Sequence, residues 1–244
     1  MLVPRKSPPA VLALILTVVL TVAAAACSGQ STADARGSGS TAAVGSSTSA
    51  AADMGDSLKD LIEAMAMPYP EGDPRYLSSN PYDYTKENPA FDAVVAMGYE
   101  ALPGLEGKLR TERPDGLDGY LICVAIETIT RCDLKQFEEF TWAHAGGFLA
   151  QWEEYLERMP SLVEEILERD LCMKVQGGEI AKLGAPVVPY VVEYADMLDG
   201  QYGSEIPGIL STVLLESKPT TTVAEFRDLN REAIDELRAY IEDR

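Results

Sequence analysis

Beyond residue 56, apolar residues return every three or four positions, and the period-two alternation of half-buried strands is missing. That spacing predicts helices. Leu58, Leu61, Ile62 and Met65 form one stripe, which predicts a first helix over Ser57–Met67. Asn88-Pro89 marks the next start, with Asn as N-cap and Pro at the first helical position, and Gly98 marks its end. Further helices are expected over Glu100–Arg110 and about Asp118–Arg131, with Asp115-Gly-Leu-Asp118-Gly119 supplying a turn and an N-cap. Ser161-x-x-Glu164 and Thr222-x-x-Glu225 have capping-box spacing, each ahead of an apolar run. Phe226, Leu229, Ile234, Leu237 and Ile241 then lie on one C-terminal stripe with charges opposite. The expected fold class is all-α.

The first 27 residues follow another pattern. Arg5 and Lys6 precede an uncharged run whose apolar heart is Val11–Ala26, the layout of a secretory signal peptide. It ends in Ala24-Ala25-Ala26-Cys27, which resembles a lipobox, with Ala24 where an aliphatic residue is usual. The resemblance implies a lipid on Cys27, cleavage before it, and a protein anchored to a membrane outside the cytoplasm. Two other readings stay open: ordinary cleavage leaving a free Cys27 thiol, or a retained anchor, although the run falls short of the ~20 residues that span a bilayer. Residues 28–55 are mostly Ser, Thr, Gly and Ala, too poor in large apolar groups to offset the entropy of ordering. They read as a linker with an end-to-end distance of roughly 30 Å. Residues 56–244 are left as a single domain with enough chain for a core.

That domain contains an internal echo. At an offset of 86, Val94–Leu105 lies over Ile180–Val191, pairing Gly98 with Gly184 and Pro103 with Pro189, while Gly119–Thr130 falls over Glu205–Glu216. Helix, glycine stop, proline-bearing helix and second helix recur in that order. The order resembles HEAT-like repeats, stacked helical pairs that each bury a face against the next. The resemblance covers about Asn88–Arg131 and Lys174–Lys218 and implies a short α-solenoid with a helical insertion over Cys132–Met173 and a C-terminal capping helix. Such folds usually serve as binding scaffolds. An irregular helical bundle is the alternative.

Charge narrows the partners. The chain carries 39 acidic against 20 basic residues, a net −19, and residues 1–27 contribute no acid. So acidic a surface disfavours nucleic acid and anionic headgroups. Catalytic patterns are thin. His144 is the only histidine, which removes an HExxH helix or a multi-histidine metal site, and no P-loop or GxGxxG is present. No cofactor is therefore expected. The acidic runs Glu153-Glu154-x-x-Glu157 and Glu164-Glu165-x-x-Glu168 read as solvated helix faces.

Aromatic residues supply the candidate binding surface. Tyr69, Tyr76, Tyr82 and Tyr84 crowd the loop Pro68–Glu87, where rigid tyrosines either gain contact area for a partner or cover the first helical pair. Trp142 and His144, beside Gly146-Gly147, join them as candidates, whereas Trp152 shares a core stripe with Phe148, Leu149, Leu156 and Met159. Cys132 and Cys172 bracket the insertion and are a candidate disulfide closing a loop of about 40 residues, worth roughly 4 kcal/mol. Three reduced thiols, Cys123 included, are the competing reading. Two functions follow from these features: a lipid-anchored, non-enzymatic scaffold for a protein or peptide, or an envelope enzyme or small-solute binder with a site near His144.

Overall fold

The structure, a computed structural model, describes residues 57–66, 69–70, 72–73, 77–112, 116–197, 205–214 and 220–244. Cys27, the linker 28–55 and Tyr76 lie outside the described residues. Every regular element described is helical, so the fold is all-α.

Helix α1 spans 57–65 and buries Leu58, Ile62 and Met65 while Lys59, Asp60 and Glu63 face solvent. A short 3-10 turn, Pro81–Thr85, leads into α2, Pro89–Ala96. Asn88 is the N-cap as expected: its side-chain oxygen accepts from the Phe91 N–H at 3.1 Å. Its amide nitrogen donates to the Met65 carbonyl at 3.0 Å and the Tyr84 carbonyl at 2.8 Å, so one buried side chain ties α1, the turn and α2 together. Helix α2 ends at Gly98, whose φ of +66° is left-handed backbone that glycine adopts without penalty. A 3-10 turn, Gly98–Ala101, then feeds α3, Leu102–Glu112.

Helix α4, Leu117–Thr130, is the central element. Leu121, Ile122, Cys123, Ala125, Ile126 and Ile129 are fully covered, because α2, α3 and α5 pack around it. Its N-cap is Gly116, at φ +106°, and not an aspartate; Asp118 is the second helical residue, in the first turn, where its charge suits the positive helix end.

The long α5, Ala145–Glu168, corrects the reading of Ser161 as a helix start. The helix runs through Pro160 without ending. Proline removes a backbone hydrogen bond at a cost of about 3 kcal/mol. Met159, Val163, Ile166 and Leu167 nevertheless continue the buried stripe of Phe148, Trp152, Tyr155 and Leu156, and each fully buried side chain returns about 1.5–3 kcal/mol. Burial wins. Gln176 of α6, Met173–Lys182, then donates to the carbonyls of Ile166, Leu167 and Arg169 at 2.9–3.0 Å, satisfying the last turn of α5.

Gly184, at φ +72°, opens a 3-10 turn, Ala185–Val187, followed by α7, Val188–Met197, and α8, Glu205–Val213. Pro103 and Pro189 both occupy the second position of their helices. The local order thus recurs, but tertiary neighbours differ: α4 lies on both α2 and α3, whereas α8 packs chiefly on α6. The expected C-terminal helix is two helices, α9, Val223–Leu229, and α10, Arg231–Glu242, broken at Asn230, whose side chain donates to the Phe226 carbonyl at 2.8 Å. Thr222 caps α9 by accepting from the Glu225 N–H, and the Glu225 carboxylate reaches back to the Thr221 N–H. The break turns Leu229 outward and brings Tyr240 into the core beside Ile234 and Leu237.

Candidate functional sites

Two places in the fold gather chemistry at the surface, and one gathers it inside. The first begins with the loop after α4. Arg131 ends α4 in left-handed backbone, Asp133 caps the 3-10 turn Leu134–Gln136, and Lys135 is thereby projected toward α4. Its ammonium lies 3.7 Å from the Trp142 ring centre, 4.8 Å from that of Tyr120 and 5.3 Å from that of Tyr82. It also donates to the Tyr120 hydroxyl at 2.6 Å and the Tyr82 hydroxyl at 3.0 Å. Burial works against its charge, but the two phenols more than offset this and raise its pKa above the ordinary lysine value. Beneath the rings, the buried Glu127 carboxylate accepts from Trp142 Nε1 at 3.0 Å and from the Leu134 N–H at 3.2 Å. Burial raises its pKa, with a smaller contribution from Asp133.

The second place is a groove of about 550 Å³ between the end of α2 and the α9–α10 break. Val95, Met97, Leu229 and Ala233 supply its apolar surface, and Glu100, Glu232 and Glu236 line it with negative charge. Burial raises the Glu236 pKa, and the neighbouring carboxylates of Glu100 and Glu232 raise it further. Among the described residues no three His, Cys, Asp or Glu side chains converge closely enough to hold a metal ion, these glutamates included.

No protein-family model matches the chain, and no curated protein or solved structure is detectably similar to it.

The third place is interior. Glu106 on α3 accepts from Trp152 Nε1 at 2.9 Å, from the Tyr240 hydroxyl, and from one terminal guanidinium nitrogen of Arg244 that reaches both carboxylate oxygens, at 2.9 and 3.0 Å. These bonds hold α3, α5 and the end of the chain at α10 together. This is a structural junction.

The structure divides the residues that the sequence singled out. Tyr82 and Trp142 meet at the Lys135 cluster, though Trp142 is buried and reaches the surface only through that cluster. Tyr69 and Tyr84 are buried against each other, ring centres 5.9 Å apart. Tyr69 donates to the Asp83 carbonyl at 2.7 Å and to that of Lys86, and Tyr84 to the Ser78 carbonyl at 3.2 Å. These two cover the first helices instead of offering a surface, because ring burial and backbone hydrogen bonds both reward that position. His144 is exposed and caps α5, its Nδ1 accepting from the Gly147 N–H at 3.0 Å. Cys132 and Cys172 are not bridged: Cys132 is buried and Cys172 exposed, and both are free thiols, as is Cys123. Burial pushes the Cys132 thiol up to about 12.

Tyr120, Lys135 and the groove glutamates escaped the sequence reading. Lys135 lies 53 positions from Tyr82, and Val95 and Glu236 are farther apart still. Only the packing of α4 and α10 unites them.

Proposed function

We propose that this protein is a cell-envelope lipoprotein, anchored outside the cytoplasm by a lipid on Cys27. Residues 28–55 act as its tether, and its helical domain is a non-enzymatic scaffold that binds a protein or peptide partner. The observation that carries the binding reading is the acid-lined groove between residues 95–100 and 229–236. It combines apolar side chains with three carboxylates, one of them, Glu236, with a pKa raised by burial and then by its acidic neighbours, a surface suited to an aliphatic side chain flanked by lysine or arginine. The repeated order of helix, left-handed glycine, 3-10 turn and proline-bearing helix supports a HEAT-like pairing of elements. The rival reading, a catalytic or solute site centred on His144, is weakened by the capping bond that occupies its Nδ1.

The test is affinity capture from envelope extract with the unlipidated domain, 56–244, alongside the Glu232→Lys/Glu236→Lys double variant. A partner retained by the parent and lost by the folded double variant supports the proposal. A partner held equally by both removes the groove as its site.

A further inference from the structure

We infer that Tyr82, Tyr120 and Trp142 form a binding cage for a small alkylammonium solute, and that Lys135 is its resident intramolecular competitor. The inference stands apart from the groove. In a chain with nearly twice as many acidic as basic residues, an exposed lysine is expected to find a carboxylate. Lys135 makes no salt bridge among the described residues and instead places its ammonium within 3.7–5.3 Å of three ring centres. Ring faces carry negative quadrupole charge, and stacked aromatic walls are the usual way to hold quaternary ammonium groups. The walls come from three separate segments and brace each other: Tyr120 lies 4.7 Å from Trp142, and Tyr82 stands edge-on to Tyr120 at 5.9 Å. Behind them, the buried Glu127 fixes the Trp142 ring by accepting from its Nε1–H at 3.0 Å. Trp142 also packs edge-on against Phe148 at 5.0 Å, which anchors the wall in the core. The cage is therefore formed before any ligand arrives.

One side is open. Tyr82 is 40% exposed, and Lys135 itself is only half-buried. An external cation can reach the rings when Lys135 swings out, and its apparent affinity is reduced by the fraction of time that Lys135 stays in. Tetramethylammonium is the minimal probe, since it offers the charge and methyl surface without a hydrogen bond donor.

The first experiment titrates the purified protein and its Lys135→Ala variant with tetramethylammonium chloride against sodium chloride at equal ionic strength, following tryptophan fluorescence. The expected result is saturable quenching in Lys135→Ala, the same change in the parent only at concentrations about tenfold higher or more, and loss of the signal when Tyr82→Ala is added. Quenching that is absent in a folded Lys135→Ala variant, or that survives Tyr82→Ala, overturns the inference. A second measurement needs no variant. Amine acylation mapped by mass spectrometry should accelerate several-fold at Lys135 when tetramethylammonium is present, with no change at the exposed Lys174. Equal rates at Lys135 with and without the probe mean that Lys135 is a fixed structural latch.

Discussion

Glu106 and Arg244 form an ion pair in which one guanidinium nitrogen lies 2.9 and 3.0 Å from the two carboxylate oxygens, joining α3 to the second residue after α10. The carboxylate is 3% exposed; Trp152 and Tyr240 also donate to it, and Arg110 lies 3.6 Å away. Removing one member of such a cluster strands the others, and a broken buried pair typically costs about 3–5 kcal/mol. Glu106→Ala should therefore lower stability by about 3 kcal/mol in urea unfolding. Glu106→Gln, which keeps an acceptor for Trp152 Nε1, should cost less. Equal losses would mean that only packing matters there.

Gly98 and Gly184 are paired by sequence but separated by surroundings. Both have left-handed backbone, yet a Cβ on Gly98 would meet nothing within 4 Å, whereas one on Gly184 would lie 2.6 Å from the Thr130 carbonyl oxygen and 2.8 Å from Cys132 Cβ. Gly98→Ala should cost about 1 kcal/mol of backbone strain. Gly184→Ala should cost at least about 1–3 kcal/mol more, the usual toll of forcing atoms into a filled core. Thermal unfolding of the two variants checks the ranking.

The three described thiols should separate kinetically. Cys172 is exposed, while Cys123 and Cys132 are buried with pKa values raised by burial above the ordinary thiol range. A thiol-specific reagent at neutral pH should modify Cys172 rapidly and the other two only as the fold opens. Rapid modification of all three in the native protein would contradict the packing around α4.

Glu236 offers a pH test. Its raised pKa means that the folded state binds a proton more readily than the unfolded state does. The resulting contribution is present at low pH and is lost as pH rises through the folded-state pKa. Glu236→Gln should therefore raise Tm at pH 7, by an amount worth at most a few tenths of a kcal/mol for so solvent-screened a group. The gain should shrink on acidification, as Glu236 takes up a proton and becomes neutral like the glutamine. A gain that grows on acidification would reverse the assignment.

Cys27 carries the proposed address. Metabolic labelling with a lipid precursor should mark the parent protein and not Cys27→Ala, which should leave the membrane fraction or remain unprocessed. Label that persists in Cys27→Ala would falsify the lipid anchor.

Much of the fold was legible along the chain, for reasons that are local. Asn88 and Thr222 act within one helical turn, through side-chain oxygens that meet backbone N–H groups three residues away, and Gly98 acts through its own left-handed backbone. The stripe Leu58, Ile62, Met65 and the burial of Trp152 follow from helical periodicity alone. Ser161 misled because its capping spacing is a local signal, and the continuous buried face from Met159 to Leu167 outweighs it. Asn230 shows the reverse case, a break within a stripe that looked continuous from Phe226 to Ile241.

Sequence by itself determined that the described residues build helices, where several of those helices start or stop, and that the chain is strongly acidic. Those are properties of near neighbours and of composition. Tertiary structure alone decided that Lys135 meets Tyr82, Tyr120 and Trp142, that Glu100 faces Glu232 and Glu236, and that Tyr69 and Tyr84 turn inward. Each of these depends on which helix faces lie together. That choice is made by the summed burial of many apolar side chains around α4, and no short stretch of sequence contains it.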